Sequence, residues 1–232
     1  MKRTIILTLI LAVASSCGIT SGLSDSDSSV HTRGELYSKM YEERPVVLLV
    51  MPPINNTTNV EAKDLLFTSI LPPLAEAGYY VISPYLSMEI MKAESAYDAE
   101  LFVDRPLDVF KRYFGCDAVV FSEINKWTKV GFGIEADIRY FIRSAQTGEI
   151  IFDRACDLYL DLSFNSNSNT ALGALIDLTA SAISTAATDH IVAARAANSY
   201  IFKDIPRGKY NADYDKDADF RADDQNITAT IK

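Results

Sequence analysis

The chain has 232 residues, 22 basic and 31 acidic side chains and a net charge of -9. An acidic chain with no basic stripe repels nucleic acid, which removes DNA- and RNA-binding functions from consideration. Nearly half of the residues are hydrophobic, enough for one domain with a real core.

Lys2 and Arg3 precede an apolar run from Ile5 to Val13, and Ala14-Ser15-Ser16 places small residues directly before Cys17. The run is far short of the roughly 20 residues that span a bilayer as a helix, so residues 1–16 are expected to be a signal peptide. Removing them takes away Lys2 and Arg3 and no acid, leaving 20 basic and 31 acidic residues and a charge of -11. Residues 17–36 begin with Cys17 and continue through a Ser, Gly and Asp-rich segment that buries little; they are expected to form a flexible tether. One α/β domain is expected over 37–208, followed by an acidic, disordered tail over 209–232.

Pro45 to Met51 is an apolar run without alternation, as in a central strand covered on both faces. The loop "MPPINNTTN" (51–59) follows, and Thr58 and Glu61 have capping-box spacing at the start of a helix that Pro72 and Pro73 should break and Gly78 should end. "YYVISP" (79–84) is a second strand, 84–95 and 106–114 are helices, and "CDAVVFSEI" is a third strand, giving a β-α-β-α-α-β unit with parallel strands. Segments 116–127, 131–143 and 149–161 form an antiparallel three-strand meander.

In the middle strand of the meander Phe132, Ile134, Ala136, Ile138, Tyr140 and Ile142 share the buried face, opposite Glu135, Asp137, Arg139 and Arg143. In the next, Ile150, Phe152, Cys156, Leu158 and Leu160 continue that face, opposed by Asp153, Asp157 and Asp161. Those acids are taken as cross-strand partners of Arg139 and Arg143, with a catalytic carboxylate pair as the alternative. Aligning Arg143 with Ile151 puts Cys156 opposite Ile138 and Cys116 near Ile142. That is too far apart for a disulfide, so two buried free thiols are expected.

A helix over 171–200 carries Leu172, Leu175, Ile176 and Ile183 on its apolar stripe. The stripe either covers the sheet or, through its alanines, forms a subunit interface. The expected fold is therefore α/β, a mixed sheet with a parallel β-α-β first half, the meander, and a long C-terminal helix packed on the sheet.

Catalytic machinery is not found. The loop 51–59 has neither the glycines of a dinucleotide fingerprint nor the Lys of a P-loop. His31 and His190 lack partners at metal-ligand spacing. In 213–224 the acids fall at the first, third, fifth, seventh and twelfth positions, as in an EF-hand loop, but Ala218 occupies the required glycine position and Asp224 replaces the expected Glu. No cofactor, metal site or enzymatic activity is expected. Pro52, Pro53, Asn55, Asn56 and Thr58 remain candidates for a ligand or partner loop, because open α/β sheets hold ligands beyond strand carboxyl ends.

Cys17 after its small residues resembles the lipobox of bacterial lipoproteins. Together with "VVLLVMPPINNTTNVEA", "GYYVIS", "GCDAVVFSEINKW" and "DIPRGKY" (204–210), it resembles a family of bacterial lipoproteins related in fold to the TolB amino-terminal domain and to curli-secretion lipoproteins. The resemblance covers about residues 45–210; Pro206 and Gly208 match a Pro-Gly segment after the long helix, while Arg207 and Lys209 have no assigned counterparts. It implies lipidation of Cys17 and a non-enzymatic component at the outer membrane facing the periplasm. The implied partners are the membrane, other envelope lipoproteins beside a curli-type secretion complex, and further copies of the chain. A small-ligand or peptide-binding module and a periplasmic activator of peptidoglycan synthesis are the competing expectations.

Overall fold

The computed structural model describes residues 31–95, 98–162 and 186–231, with the backbone alone at 186–189. Its strands are β1 (Val47–Val50), β2 (Ile54–Asn55), β3 (Tyr80–Val81), β4 (Ala118–Val130), β5 (Gly133–Ser144), β6 (Ile150–Asp161) and β7 (Asn226–Ile231). They form one seven-stranded sheet in the order β3-β1-β4-β5-β6-β7, with β2 also pairing β4. β1 runs parallel to β3 and β4, the β4-β5-β6 meander is antiparallel, and β7 returns parallel to β6. The mixed α/β fold is thus as expected, with β2 and β7 added to it.

The helices are α1 (Arg33–Leu36), α2 (Ser38–Glu43), α3 (Val60–Ser69), α4 (Leu71–Glu76), α5 (Pro84–Ala93), α6 (Asp108–Phe114) and α7 (Ala186–Phe202). One face of the sheet is covered by α3, α4 and α7, whose Leu66, Phe67, Leu74, Ala193 and Ala197 meet Val120, Ile138 and Tyr140. On the other, Met91 of α5 and Phe110 of α6 pack over Leu49, Val119, Phe121 and Phe141. This second layer covers the parallel half of the sheet, which is why β1 reads as uninterrupted hydrophobic sequence.

The break between α3 and α4 falls at Ile70, ahead of Pro72 and Pro73, which occupy the first turn of α4 where missing N–H groups are tolerated. The expected Thr58 cap is corrected: Asn59 is the N-cap, its side chain accepting from Ala62 N at 3.0 Å. Asn59→Ala is therefore expected to cost about 1 kcal/mol in chemical denaturation, and Thr58→Ala almost nothing.

Cys156 does face Ile138. Cys116, however, precedes β4, and Ile142 pairs with Val120, because a two-residue turn at Gly131-Phe132 closes the hairpin. Gly131 supplies the left-handed backbone, φ 58°, that such turns require. The two cysteines are free and buried in different layers, on opposite faces of the sheet. Burial pushes both thiols up to about 11, so neither is a nucleophile near neutral pH.

Phe132 and Ile150, expected on the buried face, are exposed at the two ends of β5-β6. The cross-strand pairing holds for Arg139, which grips Asp153 with two hydrogen bonds of 3.0 and 2.7 Å. It fails for Arg143, whose guanidinium donates instead to the carbonyls of Gly148, Phe102, Val103 and Arg105. That side chain fastens the segment between α5 and α6 to the hairpin.

Candidate functional site

The loop after β1 is built from its own hydrogen bonds. Asn55 Oδ1 accepts from Thr57 N at 3.1 Å and from Thr57 Oγ1 at 2.8 Å, while Asn55 Nδ2 donates to Asn59 O at 2.8 Å. Asn56 lies along β4, its N–H donating to Ile124 O and its amide to Asn125 Oδ1. Pro52 and Pro53 are buried between β1 and β2 and do not project into solvent. Of the five candidate residues only Asn56 and Thr58 are exposed, and the remaining polar groups are committed to the turn. The loop is a structural link between β1 and α3, not a set of convergent free donors and acceptors.

Leu172, Leu175, Ile176 and Ile183 lie outside the described residues, as does Cys17. Within α7 the alanine face is buried in the chain's own core: Ala193, Ala194 and Ala197 face inward. Asn198 sits among them, its Oδ1 accepting from the Tyr140 hydroxyl and its Nδ2 donating to Leu66 O at 3.0 Å and Ser69 Oγ at 2.8 Å. His190 Nδ1 accepts from Trp127 Nε1 at 2.9 Å, a packing role that ties α7 to the β4-β5 hairpin. For 190–202 the small residues thus serve close approach within the domain.

The expected disordered tail is corrected through residue 231. Asp217, one of the acids of the EF-hand-like spacing, is fully buried and accepts from Arg33 Nη1 at 2.9 Å and Arg207 N at 3.0 Å. Arg33 Nε also binds Asp204 Oδ1 at 3.1 Å, and Tyr37 OH donates to Asp204 Oδ2 at 3.3 Å. Burial opposes the Arg33 charge, but Asp217 and Asp204 outweigh it and raise its pKa. The expected tether also ends earlier than 36, since Thr32 and Glu35 form a capping box on α1, and Arg33 and Gly34 donate their N–H groups to Phe220 O and Ala218 O. Among the described residues no group of three His, Cys, Asp or Glu side chains is placed to share a metal ion.

A second clamp lies alongside. Arg154, on the core face of β6, is fully buried and donates to Ile201 O and, at 3.1 Å, to Asp223. Asp223 also meets Lys203 Nζ at 2.7 Å; that hydrogen bond holds its carboxyl below the usual range. The motif pieces around Gly78 and Gly208 touch: Gly208 N donates to Ala77 O at 2.8 Å, Tyr210 N to Gly78 O at 3.0 Å, and Tyr79 OH to Pro206 O at 2.7 Å.

An apolar groove lies elsewhere on the surface. Ile90, Met91, Phe102, Val109, Phe110 and Tyr113 line a groove of about 290 Å³ between α5 and α6. Tyr113 is 81% exposed, and Tyr80, Tyr85 and Leu86 on β3 and α5 are also solvent-exposed. Sequence reading missed this surface because an amphipathic stripe looks the same whether it is covered or open. Tyr113, an aromatic side chain following Lys111 and Arg112 in α6, was its available signal.

Among the described residues no helix is long and apolar enough to cross a membrane. A relative named as a lipoprotein, NMB1124/NMB1162 of Neisseria meningitidis serogroup B, is 30% identical over 92 residues, 39% of this chain and 42% of the relative. The chain thus spans about two fifths of that curated relative's length. Among solved structures, lipoprotein GNA1162 from Neisseria meningitidis is 20% identical with a TM-score of 0.47, covering 59% of this chain and 96% of that one. The LpoB C-terminal domain from Escherichia coli is 18% identical with a TM-score of 0.34, over 53% of this chain and 93% of that one. A PelC dodecamer from Paraburkholderia phytofirmans is 14% identical, also at 0.34, over 47% and 69%. These TM-scores lie below 0.5, and no functional assignment follows from them. The model of the family described as "Putative lipoprotein GNA1162-like" matches residues 36–208, most of the folded part, and on that match the chain belongs to the GNA1162-like lipoprotein family.

Proposed function

We infer that this protein is a lipid-anchored interaction component of the bacterial envelope with no catalytic chemistry of its own, held through Cys17 at the outer membrane and facing the periplasm. Its domain presents a protein-binding surface to other envelope proteins, in an assembly of the curli-secretion type. The observation carrying this reading is the groove between α5 and α6, lined by Ile90, Met91, Phe102, Val109, Phe110 and the exposed Tyr113. An open groove with an apolar lining marks contact sites on proteins or membranes. Family membership supports the anchor, and several acyl chains on one cysteine would make it stable where a single chain is marginal.

Two measurements test it. The Cys17→Ser chain is expected to leave the membrane pellet for the soluble fraction of lysed cells; sedimentation equal to the parent's refutes the anchor. A photocrosslinking side chain at Tyr113 in intact cells is expected to form adducts with envelope proteins, identified by mass spectrometry, whereas the same group at exposed Thr58 is not. Equal labelling at both positions, or none at Tyr113, removes the α5-α6 surface as the contact. Recovery of a peptidoglycan synthase in the adduct would favour the activator reading over a secretion assembly.

A further inference from the structure

β7 is a margin of the described sheet, and among the described residues no strand pairs with its outer side. Ala155 N donates to Gln225 O at 2.8 Å, and Ala155 is the Cα partner of Asn226. In a parallel ladder this turns the backbone groups of 225, 227, 229 and 231 toward β6, and those of Asn226, Thr228 and Thr230 outward. The latter three side chains are exposed, while Ile227, Ala229 and Ile231 are partly buried against the core.

The strand "NITATI" contains no charge and no proline, and its ladder with β6 has no bulge. It therefore lacks the features that blunt sheet edges. The opposite margin, β3, is only two residues long.

We propose that a second copy of this chain pairs with β7 in antiparallel fashion, with Thr228 on the two-fold axis, to make one sheet continuous across both copies. This register places Thr228 opposite Thr228 of the other copy and Asn226 opposite Thr230, so that every outward-facing residue of the strand finds an outward-facing partner. Each facing pair exchanges two backbone hydrogen bonds. A slip by two residues leaves one outward residue unpaired, and a slip by one sets inward-turned groups against the edge.

The charge before the strand agrees. Asp224 lies just ahead of it, so parallel pairing would set the two copies' carboxylates side by side, and antiparallel pairing keeps them apart at opposite ends. The facing side chains are uncharged, which matters in an acidic chain whose surfaces otherwise repel their own copies.

A pair of six-residue strands buries less than the roughly 1,000 Å² of a stable specific interface. Pairing therefore depends on confinement: two copies anchored in one leaflet meet at a high effective concentration, and contacts weak in dilute solution become populated. In this respect the inference rests on the anchored reading above.

The test uses the full chain in isolated membranes, with single cysteines introduced as Thr228→Cys, Asn226→Cys and Thr230→Cys. Facing residues in this register have Cα atoms about 5.5 Å apart, within disulfide reach. Mild oxidation is expected to give a dimer for Thr228→Cys alone. Asn226→Cys or Thr230→Cys alone stays monomeric, because identical residues are then roughly 13 Å apart along the strands. Two differently tagged chains carrying Asn226→Cys and Thr230→Cys form a mixed dimer, and adding Thr228→Pro, which removes an outward N–H and leaves the ladder with β6 intact, abolishes it. No Thr228→Cys dimer, an equal dimer from Asn226→Cys alone, or a disulfide to another protein overturns the proposal. Fractionation of the same cells reads the anchor separately. Loss of the dimer from chains still bound to membranes overturns the pairing alone, and release from membranes overturns the anchoring, with the cysteine pattern then read on concentrated protein.

Discussion

Replacing Arg33 with Met is expected to lower the stability of the folded chain by about 3–5 kcal/mol, the loss seen when one member of a buried ion pair is removed. Asp217 is fully buried and Asp204 nearly so, and both lose their cationic partner at once. Neither carboxylate can turn to water. For a domain of this size the shift in Tm is on the order of 10 °C, since 1 kcal/mol moves it by about 2–4 °C. The change should be local in origin, with residues 213–224 becoming sensitive to protease before the sheet unfolds. Chemical denaturation and limited proteolysis check both parts. A loss under about 1 kcal/mol, typical of exposed pairs, would show that the junction of α1 with the late segment does not hold the domain together. Arg44→Met is the control, because its bond to Asp215 lies at the surface.

The second large effect is expected at the crossing of Gly78 and Gly208. A Cβ on Gly78 would sit 2.5 Å from Asn211 N and 2.7 Å from Gly208 O, and the backbone φ there is 97°. A Cβ on Gly208 would sit 2.5 Å from Gly78 O. These neighbours are main-chain atoms and cannot swing aside. Gly78→Ala combines strain of about 1–3 kcal/mol with overpacking of about 1–3 kcal/mol, so a loss on the order of 3 kcal/mol or more is expected. Gly115→Ala separates the two contributions: Gly115 also has positive φ, but a Cβ there meets nothing within 4 Å. Its cost should be only about 1–2 kcal/mol. Equal losses at Gly78 and Gly115 in thermal denaturation would mean that the close approach carries no energy.

These two features mark where sequence reading reached and where it stopped. Local patterns were legible. The period-two run of β5 put Ile134, Ala136, Ile138, Tyr140 and Ile142 on one face, and all five are buried. Pro72 and Pro73 located the break between α3 and α4 because a missing N–H acts on its own turn. The separation of Cys116 from Cys156 survived an error in the β4-β5 register, since the two thiols fall in different layers. Long-range partnerships were not legible. Residues 209–231 have the composition of a solvated acidic segment, and nothing near them in sequence announces that Arg33 lies 184 positions from its bonding partner Asp217. Arg154 occupies a core-facing position of β6, where a cation contradicts the alternation unless Ile201 O and Asp223 are known to receive it. Arg143 misled in the opposite direction, as its natural acidic partners stand on the neighbouring strand while its hydrogen bonds go to a loop. For the candidate site, the Asn and Thr residues of 55–59 signalled polarity correctly, but their mutual hydrogen bonds emerge only once the turn is closed.

One mechanical consequence follows from the backbone bonds that join His31, Arg33 and Gly34 to residues 218–222. If the domain hangs from a lipid, tension passes into the described fold through residue 31, within one hydrogen bond of the stretch of chain that leads to β7. The first contacts to bear the load are the Arg33 carboxylate pair and these few amide bonds, not the sheet. A sideways pull between membrane and bound partner would thus be felt at the sheet's open margin before it reached α5 and α6.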